Sequence, residues 1–246
     1  MTQRAWSLAG YLSGELAGQG AGGAVSQTPP LPVSVTAVEY WHSELQCSGT
    51  SWTGQIGGRV LPAVGTPVVQ ADGSNFAGRR VAHTSPGNVY RATAIASLAT
   101  SGTFPWSMSI FRFRAIAGGG GEQGIIDYGV NGVSDDFYML CRLDNMESRC
   151  RDQSQGPAAD TSVHRLEVYN DTTQVVSRRD ATVWNGGTAF GINHNLTSVG
   201  ISVTASTAGA HQSTAAHAFH MICSAVPSAG ELAALRAWAT AYWGAP

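Results

Sequence analysis

Residues 163–179, VHRLEVYNDTTQVVSRR, hold two alternating apolar and polar segments on either side of an Asn-Asp turn signal. Successive side chains of a strand point to opposite faces. One face of the first segment therefore carries His164, Leu166 and Val168, and the other carries Arg165, Glu167 and Tyr169. The stretch predicts two short antiparallel strands with one face in a hydrophobic core and the other facing water or a partner.

Segments of the same kind recur along the chain, separated by turn signals such as Asn131-Gly132 and the Gly118–Gly121 run. With 30 Gly and 10 Pro among 246 residues, turns are plentiful. The pattern predicts an all-β, two-sheet antiparallel sandwich in a single domain. The other candidate strands are SMSIFRFRAI (107–116), GIIDYGV (124–130), DFYMLCRL (136–143), SVGISVTA (198–205) and HAFHMICSAV (217–226).

The last 20 residues differ in kind from the strands. Ser228-Ala-Gly-Glu231 is a capping box, which marks a helix start. Leu232, Leu235, Trp238 and Tyr242 then recur at helical spacing and form an apolar stripe. We expect one amphipathic C-terminal helix that packs on the sandwich through this stripe, with Arg236 on the opposite, solvent-facing side.

Residues 1–32 precede the strand pattern and are predicted to form an N-terminal arm and linker, with the domain itself at 33–246. Ser7, Ser13 and Glu15 interrupt the apolar stretch, so a cleaved signal peptide is the minor alternative. A short helix here would need to dock, and we expect it to bind a larger assembly or sister subunits. The alternative is that it packs on its own domain or frays. Its apolar anchor residues are Trp6, Leu8, Tyr11, Leu12 and Leu16.

Charge is sparse. Charged residues make up 12% of the chain, all 14 basic residues are Arg, and the formal net charge is −2. Such a balance provides no broad electrostatic surface for nucleic acid. No apolar run is long enough for a membrane span.

Several landmarks then occur in a recognisable order. An early strand, VEYWH, leads to a Trp52-centred W-x-G-Q-x-G-G turn, and a strand follows Pro105-Trp106. The chain closes on the predicted helix, which ends in Tyr242-Trp243-Gly244. Over residues 35–244 this order resembles the concanavalin A-like, laminin G-like jelly-roll domains found in phage structural and bacterial surface proteins. The resemblance implies two packed antiparallel sheets with a concave face.

The sequence carries no recognisable catalytic motif. Retaining glucanases on this fold carry a pattern like E-x-D-x-x-E, because they need two carboxylates about 5 Å apart. The chain has no such triplet, no G-x-S-x-G and no H-E-x-x-H. His217 and His220 are three apart on a predicted strand, so we expect them on opposite faces. The sequence therefore predicts a protein that is not an enzyme.

For binding, the best local candidate is Trp184-Asn185-Gly186-Gly187, an aromatic residue beside a turn signal. The alternative is that Trp184 covers the edge of the core and Asn185-Gly186 is simply a turn. The resemblance allows a calcium ion at such a site, but no specific motif for one occurs, so no cofactor is predicted. The supporting ligands would be Asp127, Tyr128, Asn131, Asp135 and Asp136.

Cys141 and Cys150 lie symmetrically about Asn145-Met146. A two-residue hairpin turn there would place the two cysteines directly opposite each other. That geometry permits a disulfide without requiring one, and the reduced, packed pair is favoured.

These features favour a non-enzymatic virion structural protein, either a capsid decoration or a fibre-type module. It would bind other virion proteins or sister subunits through residues 1–32. It would also display a lectin-like domain, with a cell-surface glycan as a further partner. The runner-up is a secreted or surface carbohydrate-binding module of a bacterium, and a glycoside hydrolase comes third. The matching locations are the virion, or the bacterial exterior for the second interpretation.

Overall fold

The computed structural model describes residues 24–103, 105–116, 122–130, 137–142, 147–149, 156–170, 173–186, 194–203 and 210–246. Its strands are β1 (Ala37–His42), β2 (Ser51–Thr53), β3 (Val60–Val64), β4 (Val68–Ala71), β5 (Arg80–Thr84), β6 (Val89–Ala92), β7 (Trp106–Phe113), β8 (Glu122–Gly129), β9 (Phe137–Arg142), β10 (Glu147–Arg149), β11 (His164–Asn170), β12 (Val175–Arg179), β13 (Thr182–Gly186), β14 (Ser198–Ile201) and β15 (Ala215–Cys223). One helix, α1, spans Ala229–Trp243, and a short 3-10 turn spans Asn75–Gly78.

The strands form two sheets. The first runs β13-β12-β11-β7-β15-β5-β4, with β1 also paired to β15, and the second runs β10-β9-β8-β14-β6-β3-β2. The pairings described between these strands are antiparallel. The predicted two-sheet antiparallel sandwich with a C-terminal helix is confirmed. No helix among the described residues is long and apolar enough to cross a membrane.

The core lies between the sheets. Trp41 of the first sheet packs on Tyr128 of the second, with ring centroids 6.5 Å apart. Trp52 of the second sheet packs on His220 of the first at 5.8 Å. All four side chains are fully buried, and burying a large apolar side chain contributes about 1.5 to 3 kcal/mol.

Helix α1 covers the outer face of the first sheet. The helix begins at the predicted capping box, where the Ser228 side chain accepts from the Glu231 backbone N–H, and it ends at Gly244 in the left-handed conformation. Leu235 and Trp238 of the predicted stripe are buried against this face, in one cluster with Phe219.

Arg236 does not lie on a solvent-facing side, as the helical spacing predicted. Its Nε and Nη2 donate to the two carboxylate oxygens of Glu167 at 2.8 and 2.6 Å. Glu167 is fully buried and also accepts from Arg165 Nε at 3.1 Å. The polar face of β11 is therefore the partnered one, because the helix supplies the charge that Glu167 needs.

The W-x-G-Q-x-G-G turn wraps around a buried carboxylate, that of Glu39. This group accepts from the backbone N–H of Ile56 at 2.8 Å and of Gly57 at 3.0 Å, and from Arg59 Nη1 at 3.2 Å. A Cβ at Gly54 would lie 2.3 Å from the Glu39 carboxyl carbon. Glycine at this position lets the turn close over the charge.

Residues 24–36 lie against the domain. Trp238 Nε1 donates to the Ser26 carbonyl at 2.9 Å, and Val25 packs on the cluster beneath the helix. The backbone N–H groups of Val33 and Ser34 donate to Glu231 at 2.6 and 2.8 Å. These contacts associate residues 24–32 with the domain, and the boundary at residue 32 stays a prediction. The arm residues Trp6, Leu8, Tyr11, Leu12 and Leu16 lie outside the described residues.

The hairpin of β9 and β10 has a different register from the predicted one. Cys141 lies opposite Ser148, and Arg142 lies opposite Glu147. The connection therefore holds four residues instead of two, which shifts the pairing by two positions. Cys150 itself lies outside the described residues.

Candidate functional site

A polar surface pocket, here called the edge pocket, lies at the β4–β5 edge of the first sheet. Its cavity volume is about 230 Å³. Seven of its eight lining residues are polar or charged, which distinguishes it from the mostly apolar pockets of drug-sized ligands. It is lined by Thr66, Val68, Gln70, His83, Thr84, Ser85, Asn88 and Arg114.

The wall of the edge pocket is held by the turn between β5 and β6. Asn88 Oδ1 accepts from the Thr66 N–H at 2.8 Å, and Asn88 Nδ2 donates to Ser85 Oγ at 2.9 Å. Gly65 has φ +73°, and a Cβ there would lie 2.0 Å from the Gly87 carbonyl oxygen. Only glycine fits this close approach, so the two loops are locked together beside the pocket.

A charged cluster lies at the Arg114 end of the pocket. Arg112 Nη1 lies 2.5 Å from Asp72 Oδ2, and Arg112 Nε donates to the Thr161 carbonyl at 2.8 Å. Arg114 Nε lies further from the same carboxylate, at 3.8 Å from Oδ1. Asp72 is therefore bound mainly by Arg112.

His83 lies between this cluster and the pocket. Its Nδ1 is 3.3 Å from Gln70 Nε2, and its Nε2 is 3.7 Å from Asp72 Oδ1. Burial and the Arg114 charge lower the pKa of His83, against the opposing effect of Asp72. The imidazole is therefore neutral at pH 7. Two arginines and one aspartate then leave this end of the pocket with a net charge of about +1.

Thr84 connects the pocket lining to a hydrogen-bonded chain in the core. Thr84 Oγ1 lies 2.5 Å from Ser202 Oγ, which lies 2.5 Å from His217 Nε2. His217 Nδ1 lies 3.2 Å from His220 Nε2, and His220 Nδ1 lies 2.7 Å from Ser109 Oγ. This series of hydrogen bonds links strands of the first sheet to Ser202, which directly follows β14 of the second sheet.

The prediction that His217 and His220 lie on opposite faces is wrong. The pairing of β15 with β7 shifts register between His217 and Phe219, which marks a β-bulge at Ala218. The extra residue changes the alternation and brings both rings to the same side, with centroids 5.1 Å apart.

Both imidazoles are neutral. Burial lowers the pKa of His217 to about 3, with a smaller contribution from His83, and burial together with His217 lowers the pKa of His220 well below its usual value. A hydrogen bond between two ring nitrogens needs one donor and one acceptor, which fits two neutral rings of matched tautomers. The pair is a structural part of the core, since neither ring is exposed.

A second pocket, of about 500 Å³, lies at the C-terminal end of α1 beside residues 24–27. Its aromatic residue, Tyr242, is already covered. Arg79 Cζ lies 3.6 Å from the ring centroid, and Trp238 stacks on the ring at 5.7 Å. The Tyr242 hydroxyl donates to Glu44 Oε2 at 2.5 Å. This pocket therefore provides no open aromatic platform for a sugar ring.

The sequence-predicted binding residues occupy different surroundings. Trp184 lies in the edge strand β13 and packs, partly buried, against the core between the sheets. Trp184 and Asn185 thus belong to a strand, not to the turn that Asn185-Gly186 suggested. Tyr128 is fully buried against Trp41, and Asp127 lies on the other face of β8, also buried. The structure does not bring Trp184, Asp127 and Tyr128 to one surface.

Asn131, Asp135 and Asp136 lie outside the described residues, as does the side chain of Asn185. The binding role of the set stays a prediction.

The edge pocket was missed because its residues are ordinary turn and strand residues in sequence. The sequence signal that could have indicated the pocket is the Ser85-Pro-Gly-Asn88 turn. This turn begins 14 positions after the end of the short VVQA segment.

No protein-family model matches the chain, and no curated protein sequence matches it. Trypanosoma rangeli sialidase, solved with sialic acid, superposes with a TM-score of 0.59 at 10% identity, over 86% of this chain and 35% of the sialidase chain. A GH54 α-L-arabinofuranosidase gives 0.51 at 10% identity, over 85% of this chain and 60% of that chain.

A third solved structure matches over nearly its full length. It is domain 4 of a GH43 extracellular arabinanase from Geobacillus stearothermophilus, in complex with arabinotriose, with a TM-score of 0.51 at 11% identity. The match covers 82% of this chain and 98% of that domain. The chain therefore spans about a third of the sialidase chain but almost all of this domain. At such identities the likeness establishes the fold.

The prediction that the chain is not an enzyme is wrong. It relied on several missing motifs, chiefly the E-x-D-x-x-E triplet, which is a feature of one group of glucanases. The fold is shared with chains of a sialidase and of an arabinofuranosidase, so the lack of that one motif does not exclude hydrolysis.

Proposed function

We propose that this chain is a glycan-binding β-sandwich domain and that the edge pocket is its binding site. The observation that carries the proposal is the polar lining of that pocket. Saccharides present many hydroxyl groups, and amide, hydroxyl and guanidinium side chains on a rigid wall are suitable partners for them. The pocket is smaller than the roughly 300 to 1,000 Å³ of drug-sized ligands, so it would take one sugar residue of a longer chain.

The comparisons support the proposal at the level of whole domains. The domain that this chain matches over 98% of its length was solved with arabinotriose, and the other neighbours named above are sialidase and arabinofuranosidase chains. A location outside the cell follows as part of the proposal, since glycans of this kind are extracellular polymers.

A glycan array followed by calorimetric titration of the full chain tests this function. Gln70→Ala removes an exposed amide from the edge pocket, and Gln55→Ala removes a partly buried amide that bonds the Thr53 carbonyl instead. We expect Gln70→Ala to weaken binding about three- to tenfold, the value of one hydrogen bond, and Gln55→Ala to leave it unchanged. Failure of every saccharide to bind would contradict the proposal, as would equal effects of both variants.

Glycoside hydrolysis is the second candidate, favoured by the superposition on the GH54 arabinofuranosidase over 60% of that chain. Release of reducing ends or of 4-nitrophenol from a panel of glycosides tests it directly. Hydrolysis that is abolished by a carboxylate substitution would place the chain among the glycosidases.

A virion structural role stays a prediction from sequence. It rests on residues 1–32 and on the resemblance to phage structural proteins, and the glycosidase chains named above lend it no support. Its test is whether the protein co-purifies with a particle and whether removal of residues 1–23 abolishes that association.

A further inference from the structure

We propose that the edge pocket selects saccharides that carry a carboxylate and that Arg114 holds this group. The inference rests on the proposed function and narrows the class of glycan. Its basis is an uneven distribution of charge at one end of the pocket, where two guanidinium groups share one carboxylate.

Asp72 is already committed to one of the two arginines. Arg112 Nη1 contacts Asp72 Oδ2 at 2.5 Å and is anchored by the Thr161 carbonyl. Arg114 Nε lies 3.8 Å from the other oxygen, which is beyond hydrogen-bond distance. Within the part of the chain that the structure describes, the Nη atoms of Arg114 have no acceptor.

Arg114 is also accessible, since 39% of its side chain is exposed, whereas the side chain of Arg112 is 17% exposed. A guanidinium group presents its N–H donors in a planar fork that matches the two oxygens of a carboxylate. Arg114 therefore presents a guanidinium fork at the pocket surface, whereas Arg112 contacts Asp72 beneath it through Nη1 alone among the contacts described.

The rest of the lining fits the sugar ring that would carry the acid. Gln70 and Ser85 provide an amide and a hydroxyl, and Asn88 is fixed by its bonds to Thr66 and Ser85. These groups are uncharged, and His83 beside them is neutral. Arg114 is therefore the charged lining residue that would distinguish an acidic sugar from a neutral one. Uronic and sialic acids share the carboxylate, and the experiment separates them.

The test compares matched acidic and neutral saccharides by calorimetry. Oligogalacturonate is titrated against galacto-oligosaccharide, and sialyllactose against lactose. We expect the acidic member of at least one pair to bind about tenfold tighter or more, which corresponds to roughly 1.4 kcal/mol. The preference should fall as salt rises, because exposed charges are screened beyond about 8 Å at physiological ionic strength.

Two variants and one control assign the preference to its residue. Arg114→Gln should abolish it, and Arg114→Lys should retain part of it, since a lysine keeps the charge but loses the fork. Arg80→Gln removes an exposed arginine that lines the second pocket and should have no effect. Thermal unfolding of each variant is measured alongside. If Arg114→Gln does not fold, a partial loss of the preference for acidic saccharides in Arg114→Lys assigns that preference to Arg114.

The outcomes separate the two proposals. If no saccharide binds, the proposed function fails and this inference fails with it. If neutral saccharides bind as tightly as acidic ones and Gln70→Ala weakens both, the function stands and the inference is overturned. It is equally overturned if acidic saccharides are preferred and Arg114→Gln leaves that preference intact.

Discussion

Replacing Arg236 by alanine should strongly destabilise the domain, although spacing in the sequence assigns this residue to the outer side of the helix. The side chain makes two charge-assisted hydrogen bonds to Glu167, which is fully buried. Such bonds contribute about 1.5 to 3 kcal/mol each. Breaking a buried pair from one side costs about 3 to 5 kcal/mol.

Two features reduce this cost. Arg236 is 27% exposed, and Arg165 remains within 3.1 Å of the carboxylate after the substitution. We therefore expect Arg236→Ala to lower the free energy of unfolding by about 2 to 4 kcal/mol. That is comparable to Leu235→Ala, at about 2 to 5 kcal/mol for a buried leucine. Urea unfolding followed by tryptophan fluorescence measures both.

Arg178→Ala is the matched control, since this partly buried arginine makes one bond to the Asp180 carbonyl and should cost less than about 1 kcal/mol. Glu167→Gln combined with Arg236→Ala should cost less than the sum of the two single changes, because the pair is coupled. A loss under about 0.5 kcal/mol for Arg236→Ala would refute the reasoning and restore the solvent-facing interpretation.

Three further predictions concern other parts of the domain. Acid should destabilise the protein by up to about 1.4 kcal/mol per pH unit for each of His217 and His42. Burial lowers their pKa values in the folded protein to about 3 and about 4. Below pH 6.5 the unfolded chain therefore binds more protons than the folded protein does. An unchanged melting temperature between pH 7 and pH 5 would contradict this prediction. Gly54→Ala should lower the free energy of unfolding by about 1 to 3 kcal/mol, because the added methyl group would clash with the buried Glu39 carboxylate. The control Gly230→Ala, with open space around it, should not lower the free energy of unfolding. Removal of residues 1–32 should lower the melting temperature relative to removal of residues 1–23, because only the longer deletion removes the chain that packs on Trp238; equal melting temperatures would show that residues 24–32 contribute nothing to the fold.

Alternation and capping were enough to predict much of the architecture. The predicted strands near β7, β8, β11, β12 and β15 agree with the structure because each buries at least one face. The capping box placed the helix start correctly. These features are local, so the sequence shows them directly.

Features that depend on pairing could not be predicted in this way. The bulge at Ala218 unites two histidines that strict alternation separates, and nothing in the local sequence marks it. The β9–β10 register depends on a four-residue connection, not on the symmetry of the cysteines. Asn185-Gly186 matches a turn signal beside Trp184, yet residues 182–186 pair with β12 as a strand.

The edge pocket could not be predicted from the sequence for the same reason. Its residues come from Thr66 and β4, from β5 with the turn that follows it, and from Arg114, which directly follows β7. Only the pairing of β15 with both β5 and β7 brings Arg114 near His83. A search for motifs at short spacing could not find such a site.

A crystal structure of the full chain with the tightest-binding saccharide from the glycan array is the most direct test of the central claim. The account predicts one sugar residue in the edge pocket, with hydrogen bonds to Gln70 and with a carboxylate on the Arg114 guanidinium. A saccharide bound at any other surface, with the edge pocket empty, would contradict it.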